Sequence, residues 1–200
     1  MQLVVATKNK KKLEEVKDLL KDLNLEITSL SDFKNLPEII EDGKTFKENA
    51  IIKATTIAKA LNKLVMGEDS GLSVIALGGV PGVYSARYSG KNFTDRKNNL
   101  KLLGALKNIP LNKRQAFYSC AIALADKRGL IGVVEARFNG LIGFKMKGST
   151  GFGYDPLFVV PKYNKTVAEL GLEIKHKISH RAKAIKKVKK IIKSYLLNIP

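Results

Sequence analysis

The chain has 200 residues, 44% hydrophobic and 27% charged, enough for one domain with a well-buried core or two closely joined lobes. No apolar run approaches the roughly 20 residues of a membrane span, and Met1-Gln2-Leu3-Val4-Val5-Ala6 lacks the basic stretch and cleavage site of a signal peptide. Cys120 is the single cysteine, which excludes an intramolecular disulfide and a cysteine-based zinc cluster and points to a cytoplasmic protein. Its setting, Phe117-Tyr118-Ser119-Cys120-Ala121-Ile122-Ala123, is that of a small buried hydrophobe.

The formal net charge of +18 attracts phosphates, whether of a nucleic acid or of a small anion. Half of it, +9, lies from Pro161 onward, where eleven basic residues face only Glu169 and Glu173. Aromatic residues do not alternate with these lysines, and neither RNP-like strands nor a helix-turn-helix is present. A solvated face explains the lysines better than a specific nucleic-acid partner. A basic RNA- or DNA-binding module stays open as an alternative.

In chain order, Gln2–Ala6 is a predicted strand, followed by the polar turn Thr7-Lys8-Asn9-Lys10-Lys11-Lys12 and a helix with Leu13, Val16, Leu19, Leu20 and Leu23 on one face. Such a turn aims helix amino-terminal N–H groups at an anion. Glu26–Leu30 is a second strand, and Ser31–Lys44 a loop carrying Glu38, Glu41 and Asp42. Thr45-Phe46-Lys47-Glu48 is a capping box that opens a helix to about Leu61, with Phe46, Ala50, Ala54, Ile57 and Leu61 inward. Lys53 falls on the shoulder of that face, either snorkelling to water or aimed at something negative. Leu64-Val65-Met66 is a short strand that ends in Gly67-Glu68-Asp69-Ser70-Gly71. After the glycine-rich turn Gly78–Gly82, Thr94–Lys107 is helical, with Leu100, Leu103 and Leu106 apolar. Gln115–Ala125 and Leu130–Phe138 pair around the hairpin signal Asp126-Lys127-Arg128-Gly129. Ser179 caps a last helix whose Ile185, Val188, Ile192 and Tyr195 face inward. The pattern is mixed α/β.

Four segments carry candidate chemistry. Thr7-x-Asn9-x-x-Lys12 offers a hydroxyl, an amide, backbone N–H groups and an ammonium to phosphoryl oxygens, although it is no Walker-A loop. Glu68-Asp69-Ser70-Gly71 is either a solvated turn or a hard-cation site of the kind Mg²⁺ takes, completed by an upstream acid such as Glu41. Gly151-Phe152-Gly153-Tyr154-Asp155-Pro156 sets one ring between two glycines, as a core plug on a tight turn or as a ring held out to stack on a flat heterocycle. Lys175-x-x-x-Ser179-His180-Arg181 is either a capped helix with a surface histidine or a cationic site for an anion or the acceptor edge of a base.

Taken together, these segments resemble the inosine/xanthosine triphosphate pyrophosphatase family, which removes non-standard purine nucleotides. The motifs run from Thr7-x-Asn9-x-x-Lys12 through Glu41, Phe46-x-Glu48-Asn49-Ala50-x-x-Lys53-Ala54 and Glu68-Asp69-Ser70-Gly71-Leu72. Gly78-Gly79-x-Pro81-Gly82-x-Tyr84-Ser85-Ala86-Arg87, Gly151-Phe152-Gly153-Tyr154-Asp155-Pro156-x-Phe158 and Ser179-His180-Arg181 complete the series. Two positions depart from the family pattern. Glu68 stands where many members have Asp, and Ile174 precedes Lys175 where a Glu-Lys pair is common, which leaves Lys175 less firmly oriented.

The resemblance implies a two-lobed α/β fold around a long twisted mixed β-sheet with flanking helices, as one catalytic domain with the nucleotide in the inter-lobe cleft. It implies Mg²⁺-dependent hydrolysis of ITP, dITP and XTP between the α- and β-phosphates, and a homodimer. Thr7, Lys8, Asn9, Lys10, Lys11, Lys12 and Lys53 would hold the triphosphate, with Ser70 beside them. Glu41 and Asp69 would hold Mg²⁺, and Asp69 would activate the attacking water. Phe152 would stack on the purine, with Gly153, Tyr154, Asp155, Lys175, His180 and Arg181 lining the base and ribose pocket. The related Maf-type pyrophosphatases, with other modified bases, are the alternative.

Overall fold

The computed structural model describes residues 1–198. Seven strands, β1 (Gln2–Val5), β2 (Glu26–Ser29), β3 (Leu64–Val74), β4 (Gln115–Asp126), β5 (Gly129–Ile142), β6 (Phe158–Val160) and β7 (Lys165–Thr166), form one sheet in the order β2-β1-β3-β4-β5-β6-β7. Among the described residues five α-helices accompany them: α1 (Lys10–Leu20), α2 (Phe46–Leu61), α3 (Asp95–Ala105), α4 (Val167–Ile178) and α5 (His180–Leu197). β1 runs parallel to β2 and to β3, with Val4 opposite Val65, whereas β6 is antiparallel to both β5 and β7. The sheet is therefore mixed, and the fold is α/β.

The chain divides into two compact units. The first comprises Met1–Asp69, Cys120–Ala136 and the chain from Arg181; the second comprises Ser70–Ser119 and Arg137–His180. In the first unit the two-residue period of the strands sorts the core. Leu3, Val5, Leu64, Met66, Ile122 and Leu124 face one way, onto Val16 and Leu20 of α1 and Ile185, Val188 and Ile192 of α5. Val4, Val65, Ala121, Ala123 and Ala125 face the other way, onto Ala50, Ala54, Ile57 and Ala58 of α2. Alanine on both partners lets α2 approach the sheet closely. In the second unit Leu72, Val74, Leu102, Leu106, Tyr118, Phe138, Leu157 and Phe158 form a separate core.

Several elements differ from the sequence expectation. β3 does not end at Met66 but continues for eleven residues to Val74, so Glu68-Asp69-Ser70-Gly71 lies inside a strand rather than in a turn. The apparent breaker, Gly67, is required by packing: a Cβ there would lie 2.2 Å from the Ala50 carbonyl oxygen and 2.6 Å from the Ala54 nitrogen. α4 was not foreseen, because Gly171 at φ 80° breaks its apolar period; the capping box Thr166-x-x-Glu169 was its one local signal. On α3 the buried leucine is Leu102, with Leu106 buried just past its end, and Leu100 is 44% exposed.

Cys120 is buried, as its neighbours imply, and burial, joined by the charge of Glu68, pushes its thiol well above the ordinary range. The native protein should therefore resist iodoacetamide at mildly alkaline pH and yield its single thiol only after unfolding in guanidinium. Rapid native-state alkylation would contradict this placement.

Candidate active site

In the first unit, α2 and β3 bring a carboxylate and an ammonium together. Thr45 caps α2 by accepting from the Glu48 N–H, and Glu48 Oε2 accepts from the Thr45 N–H in return. One and two turns on, Asn49 and Lys53 share a helix face at i,i+4 spacing and both reach Asp69. Lys53 Nζ lies 2.9 Å from Asp69 Oδ1 and 2.7 Å from Glu41 Oε2, and it donates to the Glu68 carbonyl at 3.2 Å. Asn49 Nδ2 donates to the other Asp69 oxygen at 3.3 Å, while its Oδ1 accepts from the Gly43 N–H and tethers the loop that carries Glu41. Burial pulls the Lys53 ammonium down, but Asp69 and Glu41 outweigh it and hold its pKa above the ordinary lysine value. Lys53 is thus aimed at carboxylates and does not snorkel.

Glu68 and Asp69 are sequence neighbours, but strand alternation sends them to opposite faces. Asp69 meets α2, whereas Glu68 meets Arg181 at the start of α5. Arg181 Nε and Nη2 donate to Glu68 at 2.8 to 3.1 Å, and Nη1 pairs with Glu15 of α1. Lys12 Nζ approaches Glu68 from the same helix at 3.5 Å. All of Glu15, Glu68 and Arg181 are buried. Burial alone would weaken the guanidinium charge; Glu68 and then Glu15 reverse that, so Arg181 stays charged. Arg181, one of the residues expected to line the base pocket, is the centre of a buried ion-pair hub in the first unit.

The polar turn after β1 is built as expected. The Lys12 N–H donates to Asn9 Oδ1 at 3.2 Å, making Asn9 the cap of α1, and the Asn9 N–H donates to Thr7 Oγ1 at 3.1 Å. Lys8, Lys10 and Lys11 are exposed around this helix start. Ser70, half-buried, is the first residue of the second unit.

In the second unit the loop after β5 and the end of α4 meet. Lys175 Nζ lies 2.7 Å from Asp155 Oδ2 and 4.4 Å from the centroid of the Phe152 ring. Asp155 Oδ2 also accepts from the Phe152 N–H at 3.0 Å. Gly151 makes this approach possible, since it has φ 79° and a Cβ there would fall 2.2 Å from Asp155 Oδ2. Asp155 therefore orients Lys175 in the absence of the expected preceding glutamate, and the ammonium is firmly held. The Tyr118 hydroxyl lies 3.4 Å from Asp155 Oδ1, and its ring stacks on His180 at 4.6 Å. Burial, with the Asp155 charge beside it, pushes the Tyr118 phenol well up, so it is a donor at any physiological pH. Tyr154 donates to the Ser85 carbonyl at 2.8 Å and is 3% exposed, which makes it a core strut more than a free recognition group.

Asp155, Lys175, His180 and Phe152 thus share one cluster; Glu41, Lys53 and Asp69 share another. Sequence reasoning missed Asn49, whose i,i+4 spacing to Lys53 was a usable signal. It also missed Tyr118, Asp95, Asn99 and Glu15, whose contacts span long sequence separations and leave no local trace.

Three comparisons bear on this arrangement. The Ham1 family profile matches residues 3–191. A dITP/XTP pyrophosphatase of Desulforamulus reducens is 47% identical over 96% of both chains. That of Shouchella clausii is 49% identical over 96% of both. A HAM1 protein structure from Coxiella burnetii superposes with a TM-score of 0.88 at 38% identity, covering 97% of this chain and 99% of its own. The Staphylococcus aureus Ham1 structure gives 0.86 at 39% identity, covering 98% of this chain and all of its own. Family profile, full-length relatives and fold agree, and the chain belongs to the Ham1 family.

Proposed function

We propose that this chain hydrolyses non-standard purine nucleoside triphosphates such as ITP, dITP and XTP between the α- and β-phosphates, releasing the monophosphate and pyrophosphate. The observation that carries the proposal is the convergence of Asp69, Lys53 and Glu41 in a chain of this family. In this scheme Asp69 takes the proton of the attacking water, a role that asks for a carboxylate held in one orientation. Asn49 and Lys53 give it that orientation. Lys53 and the lysines of the Thr7–Lys12 turn neutralise the phosphoryl oxygens, whose charge otherwise repels a nucleophile.

The cation proposed is Mg²⁺, acting in a cytoplasmic homodimer. Its fit rests on Glu41 and Asp69, whose oxygens both lie within hydrogen-bond distance of one positive centre, Lys53 Nζ. Two carboxylates suffice for an ion that keeps several waters and takes substrate phosphates as further ligands. Among the described residues no group of three or more His, Cys, Asp or Glu forms a closed cage. When bound, the ion would stabilise charge on the phosphates and the departing pyrophosphate.

Base selection is assigned to the second cluster, where Phe152 would stack on the purine and Lys175 and His180 would face its polar edge. Donors matched to a 6-oxo acceptor go unpaired against a 6-amino group, which disfavours adenine. With Mg²⁺ present, pyrophosphate release should be far faster from ITP and XTP than from ATP or GTP, and chelation should stop it. Equal rates on all four would overturn the selectivity, and orthophosphate release alone would overturn the reaction class. A preference for modified pyrimidines in the same panel would favour the Maf-type alternative.

A further inference from the structure

Gly153, at φ 63°, has both of its backbone polar groups bound by one face of α3. Its N–H donates to Asp95 Oδ2 at 2.8 Å, and its carbonyl accepts from Asn99 Nδ2 at 2.7 Å. The two side chains are spaced i,i+4, so a single helix face presents an acceptor and a donor matched to one peptide residue. Asn99 is 1% exposed and also donates to the Asp95 carbonyl at 2.7 Å. Its Oδ1, in contrast, is buried without a hydrogen-bond partner among the described residues. Satisfying its own polar atoms therefore does not account for the placement of this amide. Asp95 is exposed and had no need of a partner 58 positions away. α3 itself is anchored through Asn98, which donates to the Ala86 carbonyl at 2.9 Å and accepts from the Ser89 N–H at 2.8 Å.

We propose that Asp95 and Asn99 are positioning residues for base recognition: by clamping Gly153 they aim the adjoining Phe152 ring. On its other side the ring is held through the Phe152 N–H on Asp155. This inference rests on the stacking role proposed for Phe152. A loop ordered before the nucleotide arrives takes no ordering cost from binding. Loss of the clamp therefore appears in affinity and KM, with kcat spared.

The test is a series of full-length variants assayed for KM and kcat on ITP and for calorimetric binding of inosine monophosphate. Asp95→Ala should raise KM and the monophosphate Kd in parallel by about tenfold, the scale of one hydrogen bond to a charged group, with kcat changed less than about twofold. Asp95→Asn keeps an acceptor for the Gly153 N–H and should restore most of the loss. Asn99→Ala, shown to be folded by its thermal transition, should move KM in the same direction. Wild-type KM and Kd for Asp95→Ala, or an equal loss for Asp95→Asn, would overturn the clamp. Phe152→Ala separates the two levels. If it raises KM while Asp95→Ala does not, the clamp alone fails; if it leaves KM unchanged, the stacking role beneath it fails too.

Discussion

Asp69→Asn should lower kcat on ITP by about 10²–10⁴-fold, the range expected when a positioned general base is removed. Nucleotide affinity should change little. The substitution is isosteric, Asn49 can still donate to the remaining carbonyl oxygen, and Lys53 keeps its 2.7 Å partner in Glu41. In the wild type, burial lowers the Lys53 pKa while Asp69 and then Glu41 raise it above the ordinary value, and the variant keeps only Glu41 as a charged partner. A carboxamide takes up no proton from water in this range, so the defect should persist across neutral pH and not be recovered by alkali. Single-turnover rates, together with nucleotide binding, measure both parts. A kcat within about twofold of wild type would remove Asp69 from the reaction.

The second large effect is on stability. Arg181→Leu leaves Glu68 and Glu15 buried against an aliphatic side chain, with Lys12 still 3.5 Å from Glu68. Removing one partner of a buried ion pair costs about 3–5 kcal/mol. For a chain of this size that corresponds to a Tm lowered by roughly 6–20 °C. Adding Glu15→Gln and Glu68→Gln to the same variant removes the excess buried negative charge and should recover most of the loss. A single-variant cost below about 1 kcal/mol would mean that the hub is solvated and not a buried network. Nucleotide affinity measured well below the new Tm then isolates any contact between Arg181 and the base.

These two residues mark where local sequence stops being informative. The capping box at Thr45, the apolar faces of α1, α2 and α5, the β4–β5 hairpin and the buried Cys120 are all readable from neighbours within a few positions. Their physics is short-range, set by helical and strand periods and by turn chemistry. The ordered motifs also identified the family, because residue types at fixed spacings survive without any knowledge of contacts. Gly67 misled for the same reason: locally it reads as a breaker, and only the backbone of α2 against it explains why β3 runs on.

What the sequence determined by itself was the kind of protein: an α/β chain of one pyrophosphatase family, whose motifs hold lysines, carboxylates and one ring between glycines. Only the tertiary structure decided how those charges are paired. Strand alternation parted Glu68 from Asp69, giving the first to Arg181 and Glu15 and the second to Lys53 and Asn49. Asp155, not the residue before it, orients Lys175, and α3 holds Gly153. Each of these pairings joins groups far apart in the chain. Electrostatic and hydrogen-bond energies depend on distance and burial in space, which sequence spacing does not encode.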